Sequence, residues 1–151
     1  MAKALWQITD LLKAQEMETE FDKDSQTLFL TTETPQGDIQ TRYYYDEEME
    51  VLSCQCVYMQ SFPKAKFADM CQLINLFNEE LGFGAFSLMD EEDLVFEINH
   101  LVDAVTPLQE NVVEKLTFIP SEAMGEHLAS FVLLAQSELT PQQVYEKFWE
   151  E

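Results

Sequence analysis

The sequence predicts an α+β fold: one antiparallel sheet of about five strands covered by helices, in the order α-β-β-β-α-β-β-α. Three observations predict it. Apolar residues recur at helical spacing over residues 2–15 and 63–81. Between these stretches lie three strand-like segments, joined by connections too short for a parallel crossover. Two further strand-like segments follow the second helix, linked by four acidic residues, Asp90-Glu-Glu-Asp93.

The first helix is carried by Leu5, Ile8, Leu11 and Leu12, which fall on one stripe. Residues 16–26 are polar and read as a loop. Residues 27–32 are short, β-branched and aromatic, and 38–45 alternate and hold three consecutive tyrosines. Thr34-Pro-Gln-Gly37 between them is turn chemistry. The third strand, 48–59, follows a short connection through Asp46 and Glu47. Alternation sends Leu52, Cys54, Cys56 and Tyr58 to one face, expected to be the core side. Val51, Ser53, Gln55, Val57 and Met59 take the other.

Pro63 suits the first turn of the second helix, and Gly82 suits its C-terminal cap. Phe67, Met70, Cys71, Leu73, Ile74, Phe77 and Leu81 span an arc of roughly 160° at about 100° per residue. One packed face needs less, and Leu76 lies outside the arc, so a second contact is expected. Asn78 sits amid the arc. A buried amide is costly unless hydrogen-bonded, so Asn78 is expected to bond nearby loop or strand backbone. Strands at 83–89 and 94–101 come next. Residues 102–120 stay open: Pro107 breaks the pattern, and 112–119 fit helix or strand. Ser121 is expected to cap a helix over 121–136, with Met124, Leu128, Phe131, Val132 and Ala135 along one side. Thr140-Pro-Gln-Gln143 is a capping box opening a short helix with Val144, Phe148 and Trp149. With no repeat or linker, 1–151 reads as a single domain with 140–151 appended as that C-terminal helix.

Composition narrows the function. Twenty-nine Asp and Glu against eight Lys and Arg give a formal net charge of −21. Such a surface repels nucleic-acid phosphates and anionic membranes and favours cationic partners. No apolar run approaches the roughly 18–20 residues of a membrane span, and the start lacks a secretory pattern, so a cytoplasmic location is expected. An odd count of three cysteines argues against a disulfide framework.

Residues able to carry chemistry are sparse, and no catalytic residue or cofactor is expected. His100 and His127 sit in no nucleophile motif, and the chain lacks a glycine-rich phosphate loop. Cys54 and Cys56 share a strand face and Cys71 could approach from the helix. Zinc wants four ligands, and no fourth is evident, so these read as core thiols. Asp22, Asp24, Gln26 and Glu33 have the spacing of some calcium-loop ligands, but Thr27 stands where the loop needs glycine. The acidic clusters 46–50 and 90–93 read as solvated hairpin tips. Lys64 and Lys66 open the second helix and could meet an anion or an acidic partner.

The segments Leu73-Ile-Asn-Leu-Phe-Asn78, Gly84-Ala-Phe86-Ser-Leu-Met-Asp90 and Leu94-Val-Phe96 together resemble the YbjN family. The shared pattern is a helix ending in an Asn-x-x-Asn-like motif, a Gly-x-Phe strand, an acidic turn and another strand. Members are described as sensory transduction regulators. Their fold resembles that of type III secretion chaperones: small, acidic, commonly dimeric proteins that bind an extended client segment. The resemblance implies a non-enzymatic, protein-binding regulator or chaperone-like adaptor in signalling or stress regulation. It supplies no catalytic residues. A homodimer is expected, with Val57, Met59, Leu73 and Leu76 as candidate contact residues and Asn78 as a structural residue. The alternative from another class is a small metal-dependent or thiol enzyme using Cys54, Cys56 and Cys71.

Overall fold

The computed structural model describes residues 1–150. Helix α1 (Lys3–Ala14) leads into strands β1 (Glu20–Asp22), β2 (Thr27–Thr34), β3 (Gly37–Asp46) and β4 (Val51–Tyr58). A 3₁₀ turn (Lys64–Lys66) precedes α2 (Phe67–Asn78). Then come β5 (Ala85–Met89), β6 (Asp93–Leu101), α3 (Glu110–Gln136) and α4 (Pro141–Trp149). All neighbouring strands are antiparallel, in the order β1-β2-β3-β4-β6-β5. The α+β reading holds, with six strands where about five were expected.

The extra strand is β1, inside the stretch expected to be a loop. Two of its three residues are acidic and exposed, with half-buried Phe21 between them, so the strand is too short for apolar alternation to announce it. It forms because Asp22 accepts the Asp24 amide at 2.9 Å and Gln26 takes a left-handed φ of 54°, folding the chain back onto β2. The hairpin at 34–37 is as expected. Thr34 Oγ1 accepts the Gln36 N–H at 3.2 Å, and Gly37 adopts φ 126°. The acidic segments after β3 and β5 are turns: Asp46 accepts the amides of Glu48 and Met49, and Asp90 and Glu91 both take positive φ.

One sheet face is covered by the helices. Leu52, Cys54, Cys56 and Tyr58 of β4 are buried on it, as alternation predicts. Beneath β2, β3 and β4, α1 and the start of α3 contribute Leu5, Ile8, Leu12, Val113 and Leu116 to one core cluster. Beneath β4, β6 and β5, α2, α4 and the remainder of α3 build a second around Met70, Leu73, Phe77, Phe131 and Val144. Ile98 packs against both. Phe77 is the hub of the second cluster, with ring centroids 4.6 Å from His127, 5.6 Å from Phe131 and 5.0 Å from Phe148.

The open stretch 102–120 resolves into a connection and the beginning of α3, a single helix through Gln136 with Pro120 inside it. Ser121 is therefore not an N-cap. Pro120 has no N–H, so the Leu116 carbonyl loses its helical donor. Neighbouring carbonyls are served by side chains: Ser121 Oγ donates to Phe118 O at 3.1 Å and Tyr43 Oη donates to Thr117 O at 2.5 Å. Those bonds, and burial of the helix's lower face, hold the two halves as one element. The second helix ends at Asn78 with Glu79 in right-handed conformation, so Gly82 is not its cap. The capping box at Thr140 is present, with both reciprocal bonds to Gln143.

Candidate protein-interaction surface

The opposite sheet face carries the odd-numbered residues of β4 and β6 and the even-numbered residues of β3. The helices' core clusters include none of them. Strand register places Gln40, Val57, Val95 and Ser87 in one row across the sheet. The next row is Arg42, Gln55, Glu97 and Ala85, and the next Tyr44, Ser53 and Asn99. Val57 and Val95 are a direct cross-strand pair, only 6% and 2% exposed. They form a buried cross-strand pair outside both of the helices' core clusters. Met59 and Met89, at 49% and 40% exposure, lie toward the same end of the sheet.

The middle of this face is polar and internally satisfied. Gln55 donates to Glu97 Oε2, Asn99 donates to Glu97 Oε1 at 3.0 Å, and Ser53 donates to Asn99 Oδ1 at 2.6 Å. Arg42 Nε donates to Gln40 Oε1 at 2.6 Å. The surface thus combines a self-bonded polar ladder with an adjoining apolar end. Met59 and Val57 were legible from alternation. Val95 and Met89 were missed, although Val95 alternates with Glu97 and Asn99 in the same way.

The other candidate residues separate. Leu73 is fully buried at the centre of the second core cluster, so its side chain serves the fold and meets no partner. Leu76 is half-buried on α2, on the helix-covered side, away from Val57 and Met59. The arc on α2 proved wide because it receives the sheet on one side and α4 on the other, through Phe77 against Tyr145 and Phe148.

Asn78 behaves as expected. Its Oδ1 accepts the Phe86 N–H at 2.8 Å and its Nδ2 donates to the Phe86 carbonyl at 3.0 Å. Phe86 lies on β5, an edge strand, and these two groups point away from β6. The amide therefore takes the place of one residue of a further strand and closes that part of the edge.

The cysteines do not converge. Cys54 and Cys56 are enclosed in the core and Cys71 is exposed on α2. Burial pushes the Cys54 thiol well above its ordinary range. Burial also raises Cys56, to about 12, against the opposing hydrogen bond from Thr41. A nucleophilic or metal-binding cysteine needs the opposite shift. Among the described residues no three His, Cys, Asp or Glu side chains could hold a metal ion together, and Cys54, Cys56 and Cys71 do not form one joint site. The Asp22–Glu33 spacing belongs to the β1–β2 hairpin. Lys66 Nζ donates to Ser137 O at 2.9 Å, beside the C-terminus of α3, where a cation is favourable. His127 is buried, its Nδ1 2.8 Å from Ala123 O and its ring stacked on Phe148 at 4.9 Å. His100 is half-buried near the end of β6.

Among the described residues no helix is long and apolar enough to cross a membrane. No curated protein matches the chain. The YbjN family model, described as "Putative bacterial sensory transduction regulator", matches residues 5–114. That span takes in α1, the whole sheet, α2 and the first turn of α3, including the Asn78–Phe86 pairing. The chain belongs to the YbjN family.

Proposed function

We propose that this chain is a non-enzymatic regulator or chaperone-like adaptor that works by binding another protein, and that it does so as a homodimer. The observation that carries this reading is the sheet face left uncovered by the helices, where Met59 and Met89 are exposed beside the buried Val57–Val95 pair. Exposed apolar surface of this kind marks an interface more often than it marks idle surface. Membership of a family described as regulators accords with a protein partner. The net charge of −21 favours a cationic partner and opposes self-association at low salt.

Light scattering across a salt series tests the dimer. A mass doubling from 17.5 kDa as salt rises is expected, since the Debye length falls from about 10 Å at 0.1 M to about 3 Å at 1 M. Met59→Glu combined with Met89→Glu should keep the chain monomeric at every salt. A wild-type mass of one chain throughout would overturn the dimer. Affinity capture from the native lysate tests the partner site: a protein captured equally by wild type and by the double variant would move that site off this face.

A further inference from the structure

A second feature lies off that face. It is a half-open cavity of about 780 Å³ beside the beginning of β5. Strand β5 begins at Ala85, opposite Glu97, so β6 runs on from Ile98 to Leu101 without a neighbour on that side. The cause is Gly84. Its φ of 72° turns the chain outward, and the position is tight: a Cβ there would lie 2.6 Å from Glu97 O and 2.7 Å from Ile98 Cγ1. The departing segment carries Phe83 across the gap, 62% exposed. Helix α3 passes beneath with Val112, Lys115, Leu116 and Ile119.

The cavity is thus walled by Phe83, Ile98, Val112, Leu116 and Ile119 and opens to solvent along the bare edge of β6. Its volume falls within the range of roughly 300–1,000 Å³ usual for small-molecule sites. The polar lining residues are Ser87, Glu97, Asn99, His100 and Lys115. Lys115 is the single Lys or Arg among the lining residues, its ammonium 5.8 Å from the centre of the Phe83 ring. The lining carboxylate, Glu97, has both oxygens engaged by Gln55 and Asn99 on the open sheet face. Alternation along β6 turns the main-chain groups of even-numbered residues to β4, as the Val102 N–H bonded to Glu50 O confirms. The Asn99 N–H and C=O therefore face the cavity side, where β5 supplies no partner.

We propose that this cavity binds a small amphipathic carboxylate. Its apolar body would lie between Phe83 and the Ile98–Leu116–Ile119 floor, with the carboxylate at Lys115 and the Asn99 N–H. A net charge of −21 makes a lone cation beside an apolar pocket the distinguishing feature of this surface. The proposal does not depend on the open sheet face or on the dimer.

The test uses decanoate as the probe, with decanol and decylamine as matched controls, and titrates the full-length chain by isothermal calorimetry and methyl NMR. Decanoate is expected to bind with shifts centred on Ile98, Val112 and Ile119, and to bind more tightly than decanol or decylamine. Lys115 is exposed, so Lys115→Met should leave the fold intact; it is expected to weaken decanoate by about tenfold and leave decanol unchanged. Phe83→Ala should weaken both. Equal binding of decanoate and decanol, unchanged affinity in Lys115→Met, or shifts centred on Val57 and Val95 would each overturn the proposal. So would protection of the Asn99 and Leu101 amides by an alternating Leu/Thr peptide while decanoate leaves the cavity's methyls unmoved; the edge of β6 would then be a strand-pairing site.

Discussion

Replacing Asn78 by Ala removes two hydrogen bonds at once, from the Phe86 N–H at 2.8 Å and to the Phe86 carbonyl at 3.0 Å. Each is worth about 1 kcal/mol net, and the site is only half-buried, so water can reach part of what is left unpaired. The expected loss is about 2 kcal/mol, or about 4–8 °C in Tm for a chain of this size. Urea unfolding followed by circular dichroism measures it directly. Asn78→Asp sharpens the reasoning. Its carboxylate can still accept from the Phe86 N–H, but its second oxygen opposes the Phe86 carbonyl. Protonation restores a donor there, so the folded state holds this carboxyl above its ordinary value of about 3.9. The stability contributed by the protonated form is present below that value and is lost as pH rises through the raised one. Relative to wild type, Asn78→Asp should therefore be more stable near pH 4 than at pH 7. An Asn78→Ala loss under about 0.5 kcal/mol, or an Asn78→Asp deficit flat with pH, would refute the edge-closing role.

Gly84→Ala should destabilise by about 2 kcal/mol or more, because the new methyl meets backbone at 2.6 Å in a left-handed conformation; chemical denaturation measures this, and a neutral substitution would mean that β5 can shift. A thiol reagent should titrate one cysteine rapidly in the folded chain and all three after unfolding, with Cys71→Ser abolishing the rapid phase. Stability should fall with pH above about 9. Cys54 and Cys56 stay protonated when folded but ionise from their ordinary value of 9.0 when unfolded, so up to two protons are released on unfolding, a slope of about 2.7 kcal/mol per pH unit. Burial raises the Tyr43 hydroxyl as well, which adds a further proton above about pH 10, so Cys54→Ala should lower the slope by one proton, about 1.4 kcal/mol per pH unit, as read from denaturant midpoints between pH 9 and 11.

Much of this architecture is legible in local pattern. Alternation alone assigns both faces of β4, and the rule that a buried amide must be satisfied finds the partner of Asn78 in strand backbone. The failures have particular causes. The β1 strand carries a single apolar residue, Phe21, which packs against the α1 cluster, while Glu20 and Asp22 are exposed and paired with β2; one residue makes no periodic signal. A helix start is expected at Ser121, yet α3 runs through Pro120, because tertiary burial outweighs one missing donor. Leu73 looked available because the arc of α2 exceeds one packing face; the covering helix arrives about seventy residues later, through Phe148, and no local spacing announces it. The cavity beside β5 is likewise invisible, because it depends on a strand that starts only at Ala85 next to a helix from a distant segment.

Pro120 also marks a seam. Before it, α3 gives Val113 and Leu116 to the cluster built on α1; after it, Ala123, Met124, Leu128, Phe131 and Leu134 go to the cluster built on α2 and α4. Ile98 packs against both. A helix missing one rung at the junction of two cores is a natural place for cooperativity to divide. The α2–α4 half can open as a foldon while α1, β2 and β3 remain closed. Native-state hydrogen exchange would then report two sets of amides with separate opening free energies, their border falling within one turn of Pro120.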